Sequence, residues 1–436
     1  MNKITIIGAG LAGCEAAHQI ARRGIAVDLY EMKPEQYTPA HHYPGFAELV
    51  CSNSLRADRL ENAVGLLKEE MRVLRSLIIE AADATRVPAG GALAVNRTAF
   101  SDYITRKIEQ NPRITVRQRE VKRLGELEGI VVVASGPLTS DALSADIAKK
   151  VGEERLHFFD AAAPIVMGDS LDYEKVFAAS RYGKGTDDYL NCPMSREEYE
   201  AFYQALITAE CAQLHGFEGD EVFEGCMPVE VMARRGQQTL LFGPLKPVGL
   251  TAPDGARPYA VVQLRKEDEA GRMYNLVGFQ THLKFSEQKR VFSMIPGLGH
   301  AEFARFGVMH QNTYLNSPRL LDAFYRLRGD ENFFFAGQMT GVEGYVESAA
   351  SGLYAGLAAA FQAEGRKLPS LSGKTAMGAL ARYVSSSPSA DFQPMNITFG
   401  IIDPPEQRFR KKTEKNAFLS ERALAEVRGF AEKLQE

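Results

Sequence analysis

Residues Lys3-Ile4-Thr5-Ile6-Ile7-Gly8-Ala9-Gly10-Leu11-Ala12-Gly13 decide how the N-terminus is read: a short apolar strand runs into three glycines, and helical spacing follows from Cys14 to Arg23. Each glycine has its own task. Gly8 permits the tight turn, Gly10 lets a pyrophosphate approach the backbone, and Gly13 lets the helix pack on the strand. With Ala9, Leu11 and Ala12 between them, they leave free N–H groups at a helix N-terminus aimed at phosphate oxygens. Gly24 ends the helix, Ile25 to Tyr30 reads as a second strand, and Glu31 sits at its tip, where a carboxylate accepts hydrogen bonds from ribose hydroxyls. Strand, turn, helix, strand and acid together predict a dinucleotide site; the bland alternative is a glycine-rich turn without a ligand.

FAD and NAD share this fingerprint, and the choice between them comes from the far end of the chain. Phe333-Phe334-Phe335-Ala336 reads as a buried strand, the loop that follows holds Gly337, Gln338, Gly341, Gly344 and Tyr345, and Val346 to Phe361 reads as a helix rich in Ala and Gly. This resembles the close of the FAD domain in flavoproteins of the glutathione-reductase type, where the helix N-terminus faces the pyrimidine edge of the flavin and its dipole favours negative charge there. A third apolar run, Ile130 to Val133, stops at Ala134-Ser135-Gly136-Pro137 and reads as an internal parallel strand. Gly136 would then face the cofactor, or simply turn the chain. No second Gly-x-Gly-x-x-Gly follows a strand, so NADPH or NADH is expected as a visiting reductant. The expected fold class is α/β: a Rossmann FAD-binding domain of residues 1–155 and 310–436, interrupted by an α+β insertion of residues 156–309. Within the insertion, 260–264 and 273–277 read as paired strands joined by a charged turn containing Gly271, and Arg196 to Ala209 has helical spacing.

Composition narrows the class. At 436 residues, with 45% hydrophobic and 24% charged residues, the chain has the make-up of a globular protein of two domains; the tail after Pro404 is the one stretch whose order is in question. No apolar run approaches the ~18 residues that cross a bilayer, and the chain opens directly into a strand, so a cytoplasmic protein is expected. A net charge of −4 excludes a uniformly basic nucleic-acid binder but leaves room for a local basic stripe. Arg257, Arg265, Lys266, Arg272, Lys284, Lys289 and Arg290 lie in one region, and Arg408, Arg410, Lys411, Lys412 and Lys415 crowd the tail. For most of them a solvated face is the competing account.

Five cysteines, none spaced as Cys-x-x-Cys, argue against a disulfide framework or a structural metal site, and no metal is expected. Cys51 precedes Ser52-Asn53-Ser54, residues of helix-capping type, and a long helical pattern from about Glu61 to Ala84; Arg56 is near in sequence. Cys226 is followed by Pro228, which can open a short helix carrying Arg234 and Arg235. Both settings favour a thiolate. Burial as a small hydrophobe is the alternative for each, and it is the reading for Cys14.

The segments Glu48-Leu49-Val50-Cys51-Ser52-Asn53-Ser54-Leu55-Arg56, Glu224-Gly225-Cys226-Met227-Pro228 and Gly341-Val342-Glu343-Gly344-Tyr345-Val346-Glu347-Ser348-Ala349, with 88–95 and 241–250, resemble signatures of the bacterial folate- and FAD-dependent tRNA (uracil-5-)-methyltransferases, and the likeness runs to about residue 400. The resemblance implies a T-loop uridine as acceptor, methylenetetrahydrofolate as carbon donor, FAD as relay and reductant through its N5 atom, and NADPH or NADH to re-reduce it. It also implies that Cys226 adds to C6 of the uracil and Cys51 handles the C5 proton, with the reverse division left open. His282 would cover the folate pterin, and tRNA and folate would be the partners, without a stable protein partner. Two readings remain beside it: a flavin-dependent modifier of the wobble uridine, whose chains are longer, and a small-molecule flavin oxidoreductase.

Overall fold

The computed structural model describes residues 3–38, 40–152, 156–161, 163–183, 186–212, 227–267, 270–307, 309–387 and 392–435. The apolar strand Lys3–Ile7 lies at the centre of a five-stranded parallel sheet, flanked by Ile130–Val133 and then Phe333–Phe335 on one side, and by Ala26–Glu31 and then Ile114–Gln118 on the other. Strands buried on both faces need no alternation, which is why Ile130–Val133 and Phe333–Phe335 are continuous apolar runs.

One face is covered by the helix Leu11–Arg22 packed on the late helix Tyr345–Ala363. Their contact is made by small residues. A Cβ on Gly352 would lie 2.2 Å from the Ala12 carbonyl oxygen, and one on Gly356 would lie 2.7 Å from Ala16 Cα. Buried Glu15 then accepts from Ser76 Oγ (2.6 Å) and the Ile78 N–H (3.0 Å), fixing a further helix against the first.

Two sequence expectations are corrected here. The helical pattern from Glu61 to Ala84 is two helices, Ala63–Val73 and Leu77–Ala84. Arg75, at φ 58°, breaks the run, and Ser76 caps the second helix by accepting from the Ile79 N–H. The tail is ordered: Lys412–Lys433 is a helix that packs on Ala63–Val73, and Asn416 and Ser420 donate to the carbonyls of Glu61 and Leu60. Its basic residues, Lys412 and Lys415, and Arg408, Arg410 and Lys411 just before it, are exposed.

A second, six-stranded antiparallel sheet has the order Phe177–Ala178, Tyr189–Met194, Ala260–Lys266, Met273–Leu276, Ile165–Met167, Phe303–Arg305. The hairpin between 260 and 276 turns at Gly271, φ 68°. Helix Arg196–Ile207, opened by a capping box between Ser195 and Glu198, buries Tyr199, Phe202 and Leu206 in the core of this sheet. Two strands, Leu156–Ala161 and Met309–Tyr314, pair antiparallel where the chain passes to and from this sheet. Among the described residues no helix is long and apolar enough to cross a membrane.

Candidate active site

The glycine turn is built as its residue types require. Gly8 has φ 96° and its N–H donates to the Tyr30 carbonyl at 2.8 Å; a Cβ on Gly8 would meet the Ala134 oxygen at 2.6 Å, and one on Gly13 would meet the Gly8 oxygen at 1.8 Å. Gly10 differs. A Cβ there would meet nothing within 4 Å, and Gly10 caps the helix Leu11–Arg22 without any side-chain bond, so the first-turn N–H groups and the space in front of them are open. Glu31, buried at the tip of its strand, accepts from the Ala9 N–H (2.8 Å) and the Lys33 N–H (2.9 Å) and so ties the turn to the neighbouring strand. A carboxylate accepts about four hydrogen bonds, which leaves capacity for ribose hydroxyls.

A long pocket runs over this turn. It is lined by Gly8 to Ala12, Glu31, Gly136, Gly337, Gln338, Tyr345 and Ser348, all but the last named from the sequence. Gly136, at φ 78°, has open space where a Cβ would be. Gln338 is held by both oxygens of Glu343 at 2.8 Å, and the Gly337 N–H donates to Ser351 Oγ. Gly13, Gly341 and Gly344 stand behind the wall rather than in it. Gly341, φ 82°, is covered by the Phe392 ring, and Gly344, φ 107°, starts the helix Tyr345–Ala363 with no side-chain cap. The pocket also takes Thr38, His41, Arg119, Val121, Ser135 and Thr139, which sequence reasoning missed. Arg119 follows the edge strand Ile114–Gln118, and its guanidinium lies 5.1 Å from the Tyr30 ring centroid. An open phosphate cradle at one end and a second uncapped helix start at the other fit FAD.

Beside this pocket lies Cys51. No helix starts there: Ser54–Ala57 is a strand paired with Ala92–Val95, and Asn53 donates to the carbonyls of Val95 and Lys266, so the capping residues serve a sheet edge. Arg56 turns away and pairs with buried Glu347. Three other arginines surround the thiol instead. Arg97 donates to the Leu49 carbonyl, Arg305 to the Val50 carbonyl, and Arg265 to Ser52 Oγ (2.7 Å) and Asn53 Oδ1 (2.9 Å), while Glu267 pairs with Arg97. Tyr345 Oη completes the enclosure, 2.8 Å from Cys51 Sγ and 2.8 Å from its amide nitrogen. Cys226 lies outside the described residues. Pro228 does open a short helix, Val229–Arg234, as its sequence predicts. Cys14 and Cys192 are buried, and burial pushes both thiols up.

His282 does not line the dinucleotide pocket. It is 5% exposed, with Nδ1 2.6 Å from Glu230 Oε1; Glu230 also accepts from the His282 N–H (2.9 Å) and Thr281 Oγ1 (2.8 Å). Cys211 completes the group, its ligand atom within 4.8 Å of the other two. A nitrogen and an oxygen bound to one tetrahedral zinc stand about 3.3 Å apart, farther than the 2.6 Å between His282 Nδ1 and Glu230 Oε1, which are in ion-pair contact. Burial would lower the imidazole pKa, but Cys211 and Glu230, as acceptors beside the protonated ring, outweigh it and push it up to about 9. A raised folded-state value stabilises the protein fully below the ordinary 6.5 and is lost as pH rises through about 9. Glu230→Gln is therefore expected to lower the melting temperature most near about pH 6, with the deficit shrinking toward about pH 10. Thermal unfolding across that range checks it.

The parallel sheet, the glycine turn and the pocket define a flavoprotein of the dinucleotide-binding α/β class. The family model described as "Glucose inhibited division protein A" matches residues 3–367. Proteins named methylenetetrahydrofolate--tRNA-(uracil-5-)-methyltransferase TrmFO are similar over the whole chain. The one from Listeria monocytogenes serotype 4b (strain F2365) is 59% identical over 432 residues, 99% of both chains, and that from Desulfitobacterium hafniense (strain Y51) is 60% identical over 433, covering 99% of this chain and 98% of the other. Among solved structures, Aquifex aeolicus GidA in its form I crystal superposes with a TM-score of 0.73 at 15% identity, over 99% of this chain and 76% of that one, a likeness of fold. The chain belongs to the family of methylenetetrahydrofolate-dependent tRNA (uracil-5-)-methyltransferases.

Proposed function

We propose that the chain carries out the reaction for which its relatives are named: transfer of a one-carbon unit from methylenetetrahydrofolate to C5 of a uridine in tRNA, at the T-loop. The observation that carries this reading is a cysteine, Cys51, enclosed by three arginines and hydrogen-bonded to Tyr345, a residue that also lines the dinucleotide pocket. FAD would be held by the glycine turn, Glu31 and the start of the late helix, and when bound and reduced would supply electrons and a carrier for the carbon, with NADPH or NADH as its reductant.

The rest falls to side chains. C5 of uracil is a poor nucleophile, and addition of a thiolate at C6 turns it into an enolate-like carbon. Cys226 is assigned that addition. Cys51 is assigned removal of the C5 proton, for which its enclosure gives a fixed direction. The base is taken out of the RNA stack to reach them. We assign the RNA face to residues 156–309, where Arg257, Arg272, Lys284, Lys289 and Arg290 are exposed; Arg265 is buried and already serves the Cys51 loop. Stacking on the folate pterin remains the part assigned to His282. A cytoplasmic site of action follows from tRNA as substrate.

Purified protein given unmodified tRNA, methylenetetrahydrofolate and NADPH is expected to form 5-methyluridine in the T-loop, read by nucleoside mass spectrometry. Bound flavin without methyl transfer to any RNA would overturn the substrate and leave the cofactor site.

A further inference from the structure

The Tyr345 hydroxyl has one hydrogen and two lone pairs. Two backbone donors already point at its oxygen: the Cys51 N–H at 2.8 Å and the Ser52 N–H at 3.3 Å. With both lone pairs engaged, the hydroxyl hydrogen is left for the third neighbour, Cys51 Sγ, at 2.8 Å. The direction of that bond is thereby set: oxygen donates and sulfur accepts. Burial, and then the neighbouring sulfur, hold the Tyr345 phenol well above its ordinary range, so it keeps the proton it donates.

We propose that Tyr345 is the positioning residue for Cys51: its hydroxyl, pinned by two successive amides, donates to Sγ, fixes the side-chain direction of the cysteine and steadies the sulfur as a thiolate. This rests on the reading that Cys51 handles the C5 proton. A sulfur that is to accept that proton must present an unprotonated lone pair, and a donor at its back keeps it so.

Among the described residues, the guanidiniums of Arg97, Arg265 and Arg305 also act on the sulfur. Glu267 is committed to Arg97. Those arginines donate to the carbonyls and side chains of residues 49–53, and Arg97 also to Glu267. They set the loop, and the phenol brings a hydroxyl donor to the sulfur.

The test is the pH dependence of iodoacetamide alkylation at Cys51 in the FAD-loaded protein, read by peptide mass spectrometry without RNA or folate. Tyr345→Phe removes the donor and keeps the ring. Loss of a hydrogen bond to a charged group is expected to move the alkylation midpoint up by about one unit or more. In turnover, kcat is expected to fall at least tenfold with KM for tRNA and folate little changed. An unmoved midpoint in a folded, flavin-loaded Tyr345→Phe protein overturns the proposal. Should that variant fail to load flavin, a fluorotyrosine placed at position 345 decides: a better donor is expected to move the midpoint down, and an unmoved midpoint again overturns it. If the midpoint moves as expected but wild-type protein transfers no methyl group, the positioning stands and the assigned reaction is what fails.

Discussion

Gly352→Ala is expected to abolish flavin retention and lower stability by about 3 kcal/mol or more, although it adds one carbon to a helix and alanine is the better helix former. The added Cβ would sit 2.2 Å from the Ala12 oxygen and 2.6 Å from Ala12 Cα, both backbone atoms that cannot rotate away. Relief requires the helix Tyr345–Ala363 to move off Leu11–Arg22. Those two helices carry the two N-termini that face the pocket, so a shift that relieves the clash also misaligns both ends of the cofactor site. The same substitution at Gly429, in the C-terminal helix with nothing within 4 Å of the new atom, is expected to stabilise by up to about 1 kcal/mol. Opposite signs from one chemical change, read as flavin absorbance and denaturant midpoint of the purified proteins, separate packing from helix propensity.

Cys226→Ala and Cys51→Ala are each expected to lower methyl transfer by at least about 10³-fold. Without a thiolate at C6 the uracil carbon is not nucleophilic, and without a base at C5 the product stays protonated there. Neither loss should release the flavin. Cys51 is absent from the pocket lining, and the turn that cradles phosphate is made by residues 8 to 13 and Glu31. The paired measurement is therefore methyl transfer against flavin content. A Cys51→Ala protein that transfers methyl groups at the wild-type rate would remove this residue from the chemistry and make its enclosure structural.

The dinucleotide half was legible because its constraints are local. Three glycines at fixed spacing, a strand on each side and an acid at a strand tip all fall within residues 3–31, and the structure brings the Glu31 carboxylate to the Ala9 N–H and Gly13 against the Gly8 carbonyl. The hairpin at Gly271 and the helix after Ser195 carried turn and cap signals of the same short range. The break at Arg75 was not legible, since the apolar period continues through it and Ser76 and Ile78 are tied to buried Glu15 of another helix. The cations around Cys51 come from elsewhere than its flanking sequence suggests. Its neighbours in sequence look like a cap and an arginine, but Arg56 leaves for Glu347 and the cations arrive from positions 97, 265 and 305. No pattern within one segment records a meeting of three.

The helix contact at Gly352 also has a temporal side. Ala12 leaves the ribosome early, while the residue whose lack of a side chain completes its packing follows roughly 340 positions later, on the order of 20–70 s at ordinary synthesis rates. Over that interval the apolar strand Lys3–Ile7 gains its neighbours at 26–31 and then 130–133, but the helix behind it keeps an uncovered face rich in alanine. The nascent chain thus carries a half-built cofactor cradle through most of its own synthesis, and flavin capture becomes one of the last events in its making rather than the seed of its folding.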